Sequence, residues 1–496
     1  MPGAIRGLAG RAMAARHDFR FFSNFGILVF GQLASRVMGF VAFAWLARRL
    51  DPVSYGAVEY VVGLSVFFAM VVDGGLNVLG TRRVAADPAK RNLLAFQIPV
   101  GRLGIAIIGI PVMAGMAILS MKQSVPVALV WLFALSLLSA PWRQQWLFQS
   151  SDRMSVVSVS EILRMTIFCL IVLALVRSDA DILIVGWAEI AAIAGMTLYM
   201  LVQQRRHFSG GAIANRFEGF GGLLKEGAAV SSTNLVWAFN QYVPLFMVTA
   251  LIGGVAVAWF AGASRIVVSV LQFSNLYHFN LYPSVTRAYA HGEAEMRQLM
   301  NRSMRVVGWG GIGVATALAV LAKPAVSLTL GPKLADAAPL LAVMAWMIPI
   351  TLASGHARWG LTAAGQQVRV LTAQIAGVIV TVTTILAASH FLGVMGYAIG
   401  TIAGFLAVWA TAHVFARRYR CCPPSILVVA PALLSAAVVI ALADWFDAGL
   451  GLSFGLLVAM AATAPLVDRR LIGDAIALGR SKIHMMHDNS PSSAKE

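Results

Sequence analysis

Residues 22–79 read FSNFGILVFGQLASRVMGFVAFAWLARRLDPVSYGAVEYVVGLSVFFAMVVDGGLNVL. Two apolar runs, 22–47 and 57–79, flank a turn containing Arg48, Arg49, Asp51 and Pro52. Each run exceeds the roughly 20 residues a helix needs to cross bilayer hydrocarbon. The Asp-Pro pair punctuates the chain between them. The stretch therefore reads as a transmembrane hairpin. The pattern repeats at 94–119, 125–149, 155–176, 181–203, 223–250, 256–282, 304–327, 337–364, 368–390, 393–416, 424–443 and 450–467, giving fourteen spans. Breaks such as Asp87-Pro88, Gly331-Pro332 and Pro423-Pro424 separate them, and the sizeable links, 204–222 and 283–303, are basic.

Composition agrees. Of 496 residues, 59% are hydrophobic and 12% charged, and the mean hydropathy is +0.78. Soluble domains carry about 25% charged residues. A cytosolic enzyme, a disordered chain and a secreted disulfide scaffold are excluded. The expected fold class is an all-α polytopic membrane protein with about fourteen transmembrane helices. Yet the net charge is +17.

Most of that charge sets topology. Numbering the gaps alternately from the N-terminus, the odd gaps carry 27 Lys and Arg and the even gaps 5. Arg143, Lys225, Arg305 and Arg369, toward the ends of their spans, are counted among the odd-gap charges. The positive-inside rule then places both termini in the cytoplasm. It also explains the basic loops better than nucleic-acid binding does, so no nucleic-acid partner is expected. The N-terminus, with Arg6, Arg11, Arg16 and Arg20, reads as a retained basic segment rather than a transit peptide, because a full-length span follows. Cys169, Cys421 and Cys422 fit neither a disulfide framework nor a metal site. Cys421 and Cys422 could be palmitoylated, but a chance pair at the membrane edge is the preferred reading. No metal or cofactor is expected.

Six basic residues remain inside spans: Arg36, Arg102, Arg164, Arg265, Lys323 and Arg358. Facing lipid, they would cost on the order of 15–20 kcal/mol together. Lys323 can snorkel. Arg164 lies one turn after Glu161, and an internal pair is expected. Arg102 and Arg358 can either snorkel or face a site. Arg36 sits near the middle of the first span, on a face with Gln32, Ser35 and Gly39. Arg265 heads a polar stripe with Ser269, Gln272 and Asn275. Such a stripe faces a cavity or another helix. The seventh span adds Asn234, Trp237 and Gln241, amides and an aromatic suited to sugars. Glu59, Asp73, Glu161 and Glu189 lie in or near spans, where a carboxylate pairs with arginine or carries a coupling proton. His278 and His356 read as isolated packing residues.

Several ordered stretches resemble the polysaccharide and oligosaccharide flippases, the lipid-linked oligosaccharide exporters related to the multidrug exporters and lipid II flippases. SRVMGFVAFAWLARRLDPVSYGAVEYV (35–61) is similar to their first hairpin. Asp73-Gly74-Gly75-Leu76 resembles their motif ending helix two. Trp146-Leu147-Phe148-Gln149 with Asp152-Arg153-Met154 resembles the motif after helix four. Trp259 to Arg265 and Pro283 to Tyr289 resemble helix eight and its loop. Arg36 and Arg265 fall on the cavity arginines of the lipid II group. Many members carry an Asp in helix seven, where this chain has Asn240, Gln241 and Tyr242, so its coupling role does not carry over.

The resemblance implies an N-lobe at 22–203 and a C-lobe at 223–416, each of six helices, around a central cavity. It also implies two appended helices at 424–467, a basic N-terminus at 1–21, a linker at 204–222 and a cytoplasmic tail at 468–496. It implies a flippase of the bacterial inner membrane. That protein would move an undecaprenyl-pyrophosphate oligosaccharide outward by alternating access, for exopolysaccharide or lipopolysaccharide synthesis. A polymerase and glycosyltransferases are the expected partners. Arg36 and Arg265 would hold the pyrophosphate, with Arg102, Arg164 and Arg358 adding positive field. Gln32, Asn234, Gln241 and Gln272 would contact sugar, and Asp73 and Glu189 are candidates for coupling. The alternative is a drug or cation antiporter, disfavoured by the arginine and absent acid in the first span. A membrane enzyme ranks last, because outer gaps of about ten residues or fewer hold no acid/base pair or metal cluster.

Overall fold

A computed structural model describes residues 31–121, 126–208 and 216–478. The basic N-terminus, the start of the first span (22–30), Lys122, residues 209–215 of the linker and the tail from 479 lie outside the described residues. These described residues form helices and turns, without a strand. They pack into two compact units, one running through Leu235 and the other beginning at Val236.

The first unit comprises α1 (31–49), α2 (Pro52–Asp73), α3 (Leu76–Ala86), α4 (Arg91–Ser120), α5 (Val127–Ser136), α6 (Gln145–Gln149), α7 (Met154–Leu175) and α8 (Ile182–His207). It also holds the first half of α9 (Phe220–Leu251). The second unit takes the rest of α9. It continues through α10 (Val255–His291), α11 (Glu293–Val320), α12 (Ala322–Thr329), α13 (Ala338–Met344), α14 (Met347–Ala363) and α15 (Gln367–Leu392). It ends with α16 (Val394–Arg418), α17 (Ala430–Trp445), α18 (Leu450–Val467) and α19 (471–478). Among the described residues, eleven helical segments are long and apolar enough to cross a membrane. Helix α1, helix α9 and the shorter apolar α17 occupy the other three expected positions. The protein is an all-α polytopic membrane protein.

In the first unit, α1 lies on α7 along a small-residue face. A Cβ at Gly31 would meet Ser158, and one at Gly39 would meet Met165. Phe43 stacks on Phe168 at 5.8 Å. Trp45 Nε1 donates to the Val176 carbonyl (3.0 Å), and the backbone N–H of Asp51 donates to Asp179 (2.9 Å), joining the α1–α2 and α7–α8 turns. Two spans are broken rather than continuous. Between α2 and α3, Gly74 and Gly75 adopt φ of +54° and +74°, a region that suits glycine. Between α5 and α6, the chain tightens to a 3-10 run over Leu137–Trp142 with Pro141 inside it. Arg143 and Gln144 then leave helical geometry.

In the second unit, α15 and α16 pack through Gly396, Gly400 and Gly404, a spacing of four that lets backbones touch. A Cβ on Gly400 would sit 2.5 Å from Ile385, and one on Gly404 would overlap Thr381. Arg305 joins α11 to the end of α18 and to α19 through Asp468 (2.9 Å) and Asp474 (2.8 Å). Trp309 Nε1 also donates to Asp468. Cys421 is fully buried in an apolar cluster with Met296, Met300 and Ala412, and burial pushes its thiol up to about 12. Cys422 is half-buried.

Candidate functional site: a charged cavity at two broken helices

The first unit holds a half-open cavity of about 350 Å³ beside both helix breaks. The α2–α3 break supplies Asp73, Gly75 and Asn77. The α5–α6 break supplies Ser136, Leu137, Ala140, Arg143 and Gln145. Ser65, Arg102, Arg164, Glu189, Ser231 and Asn234 complete its polar wall, from α2, α4, α7, α8 and α9. Irregular backbone is tolerated at membrane depth where protein buries it or where it lines a cavity. Both breaks obey that rule.

The break also explains how a charge can be buried here. Unwinding frees the Arg143 carbonyl from its helical partner. Arg102 Nη1 donates to that carbonyl at 3.0 Å, and its Nη2 pairs with Asp73. The Arg102 side chain is 3% exposed, so the snorkelling option is closed: its charge is held inside by a carboxylate and a freed carbonyl. Arg164 pairs with Glu189 at 2.8 Å, and Glu161 is farther at 3.9 Å. The expected internal pair is thus secondary to a bridge between helices. Geometry is the reason: Glu161 is drawn to Gln145, which donates to it at 2.5 Å. Asp73 and Glu189 both act as counter-charges of arginines.

Arg143 was expected in a cytoplasmic loop, and this is corrected. It lies in the cavity wall. Among the described residues its guanidinium makes no hydrogen bond and no ion pair to a side chain, although Glu161, Glu189 and Asp73 are close enough to act through space. The wall itself carries three guanidiniums against two carboxylates, with Glu161 behind it near Arg164 and Arg143. The signal was present in Pro141-Trp142-Arg143-Gln144-Gln145, a proline followed by polar residues inside the apolar stretch 125–149.

The cavity gathers Arg102, Arg164, Asn234, Asp73 and Glu189 from the expected site residues and adds Arg143, Gln145, Asn77 and Ser231. It does not include Arg36 or Gln32, which are exposed on α1. Arg265, Gln241, Gln272 and Arg358 belong to the second unit and are all half-buried there. Arg358 Nε donates to Ser354 Oγ at 3.2 Å. Asn240 is buried beside Gln374 (3.5 Å) and Thr381 (3.4 Å). His278 and His356, taken as isolated in sequence, are direct neighbours.

Solved structures share this fold. "Lipid II flippase MurJ, inward closed conformation" superposes with a TM-score of 0.71 at 12% identity, covering 92% of this chain and 99% of that one. An inward-facing multidrug resistance MATE family transporter of the MOP superfamily gives 0.63 at 14% identity, over 78% of this chain and 94% of that one. A protein of Escherichia coli (strain K12) described as "Putative O-antigen transporter" is 22% identical over 176 residues, 34% of this chain. That match spans 42% of the relative's length. The model of the polysaccharide biosynthesis protein family matches residues 21–289, more than half of the sequence, and the chain belongs to that family.

Proposed function

We propose that the protein is a flippase for a lipid-linked oligosaccharide, moving an undecaprenyl-pyrophosphate glycan from the cytoplasmic to the outer leaflet of the bacterial inner membrane by alternating access. Family membership supports a role in polysaccharide biosynthesis. The observation that carries the substrate class is the excess of guanidinium in the cavity, above all Arg143. Arginine's planar fork matches phosphate oxygens. In this reading Arg143 meets the pyrophosphate first. The anion then competes with Asp73 and Glu189 for Arg102 and Arg164. Asn77, Gln145, Ser231 and Asn234 offer hydrogen bonds to sugar hydroxyls. Arg36, Arg265 and Arg358, with Gln32, Gln241 and Gln272, serve the same substrate at other stages of the cycle. A polymerase and glycosyltransferases would work beside it, with both termini cytoplasmic. A cation antiporter would instead need a carboxylate available to the cation, and both carboxylates of this wall are held by arginine.

The test is transport of a fluorescent polyprenyl-pyrophosphate glycan in proteoliposomes. A hydrogen bond to a charged group is worth about 1.5–3 kcal/mol, so Arg143→Ala should slow transport roughly 10–150-fold. Wild-type transport by Arg143→Ala, or efflux of a cationic dye with no glycan transport, would sink this assignment.

A further inference from the structure

The second unit holds a buried polar chain that the anion site does not use. Tyr277 and His278 lie on α10, Ser303 on α11, and His356 on α14. Tyr277 Oη is 2.6 Å from Ser303 Oγ, which is 2.7 Å from His356 Nε2. His356 Nδ1 is 3.2 Å from His278 Nε2. The rings meet edge to face, with centroids 5.0 Å apart.

The hydrogen positions follow from the partners. His278 Nδ1 faces the Ser274 carbonyl at 2.7 Å, so it carries a hydrogen. His356 Nδ1 faces the Leu352 carbonyl at 2.8 Å, so it carries one too. His278 Nε2 then shares the His356 Nδ1 hydrogen with the Leu352 carbonyl, and His356 Nε2 accepts from Ser303. Ser303 in turn accepts from Tyr277. All four ring nitrogens are satisfied, both rings are neutral, and every bond points the same way along the chain. Only Tyr277, half-buried, reaches toward an exterior; Ser303, His356 and His278 are 0–2% exposed.

The chain is also made room for. A Cβ on Gly355 would fall 2.3 Å from the His278 ring, so α14 has no side chain where the imidazole lies. Arg358 is two residues past His356 on α14 and acts on His278 through space. On α11, Arg302 and Arg305 flank Ser303 but pair with Asp468 and Asp474. On α16, the nearest titratable groups in sequence to the buried Ala412 are His413, edge-on to Trp409, and Arg417. Helix α13 has no titratable residue; the 3-10 turn Pro332–Ala337, packed on α10, carries Lys333 and Asp336, and α15, packed on α14, carries Arg369 and His390.

We propose that His278 and His356 bind one transported proton, delivered through Tyr277 and Ser303, and that this proton couples the flippase cycle to a pH gradient. This rests on the flippase reading for the substrate it drives. The relay balances. As a proton reaches Tyr277 Oη, the phenolic hydrogen passes to Ser303 Oγ and the serine hydrogen passes to His356 Nε2. One proton enters, and one imidazolium results. A second would set two N–H groups, one on each ring, against each other at 3.2 Å, so the pair holds one. Binding reverses the Tyr277–Ser303–His356 bonds. These bonds join α10, α11 and α14, so proton occupancy changes the contacts among three helices.

The experiment uses the full chain in proteoliposomes with a fluorescent polyprenyl-pyrophosphate glycan. Transport is measured at equal pH and with an imposed pH gradient. The wild type should be accelerated by the gradient. His356→Gln and the double variant H278Q/H356Q should keep exchange at equal pH and lose the acceleration. Tyr277→Phe, which preserves packing, should lose part of it. In parallel, acid pulses on purified protein with an indicator dye should show a proton bound by the wild type and not by H278Q/H356Q. That arm needs no substrate, and it needs only that the variant melts as the wild type does. If the histidine variants fail to fold, Tyr277→Phe and the wild-type gradient response decide. Acceleration unchanged in His356→Gln, no acceleration of the wild type, or equal proton binding by both proteins would overturn the proposal. Glycan transport absent under every condition would instead overturn the flippase reading and leave the dye result standing.

Discussion

The charged cavity of the first unit and the histidine chain of the second hold polar groups by opposite means. In the first, ions line a cavity: Arg102 with Asp73, Arg164 with Glu189, and Arg143 beside them. In the second, the buried chain is neutral and tightly packed, from Tyr277 to the Ser274 carbonyl. The difference follows from what each can tolerate. An ion in a low-dielectric interior needs a counter-charge or a freed carbonyl, and it keeps its value where a ligand can reach it. A neutral hydrogen-bonded chain needs each donor matched, and it can then be dry. An open site recognises a charge; a closed chain can store one.

That contrast can be broken by substitution. The largest effect is expected at Asp73→Asn, which leaves Arg102 buried without its carboxylate. Removing one partner of a buried pair costs about 3–5 kcal/mol. The variant should melt far below the wild type in detergent, and an unchanged melting temperature would show that the cavity does not depend on its ions. Glu189→Gln should do less, because Glu161 remains 3.9 Å from Arg164. Next is Gly75→Ala. Its φ is +74°, and the new Cβ would lie 2.5 Å from the Gly227 carbonyl oxygen. Strain and overpacking together predict a loss of about 2–4 kcal/mol. Gly104→Ala is the control, since nothing lies within 4 Å of its Cβ. Equal melting of the two variants would refute the view that close approach shapes the first break.

The neutral chain should be more forgiving. Ser303→Ala leaves His356 Nε2 a buried acceptor without a donor, and about 1–3 kcal/mol should be lost. A loss as large as that of Asp73→Asn would erase the distinction between the units. The smallest effect is chemical. With its thiol pushed up to about 12 by burial, Cys421 stays protonated at pH 8 and resists maleimide in the folded protein. Its thiolate would appear only as the pH approached 12. The half-buried Cys422 should label faster, and mass spectrometry of single-cysteine variants reads the difference.

Much of the fold was legible, because each span signals itself over about 20 residues of apolar sequence. The cost of charge in hydrocarbon also singled out Arg102 and Arg164 correctly as residues needing an explanation. It could not name their partners. Arg164 had Glu161 one turn away in sequence, yet its closer partner is Glu189, 25 residues on in another helix. Arg143 was misplaced because it was counted with the loop charges although it lies inside the apolar stretch 125–149, just past the break at Pro141. His278 and His356 looked isolated because 78 residues separate them. The ranking of Arg36 and Arg265 rested on cost and resemblance, and neither lines the cavity of the first unit.

By itself, the sequence determined that this is a multi-span, all-helical membrane protein with an excess of positive charge, because hydropathy and charge are summed over local windows. Only the tertiary structure decided which charges are paired, which cavity they share and which histidines touch. Those outcomes depend on packing among helices distant in sequence. A burial penalty identifies a residue that needs a partner; three-dimensional contact determines which partner it has.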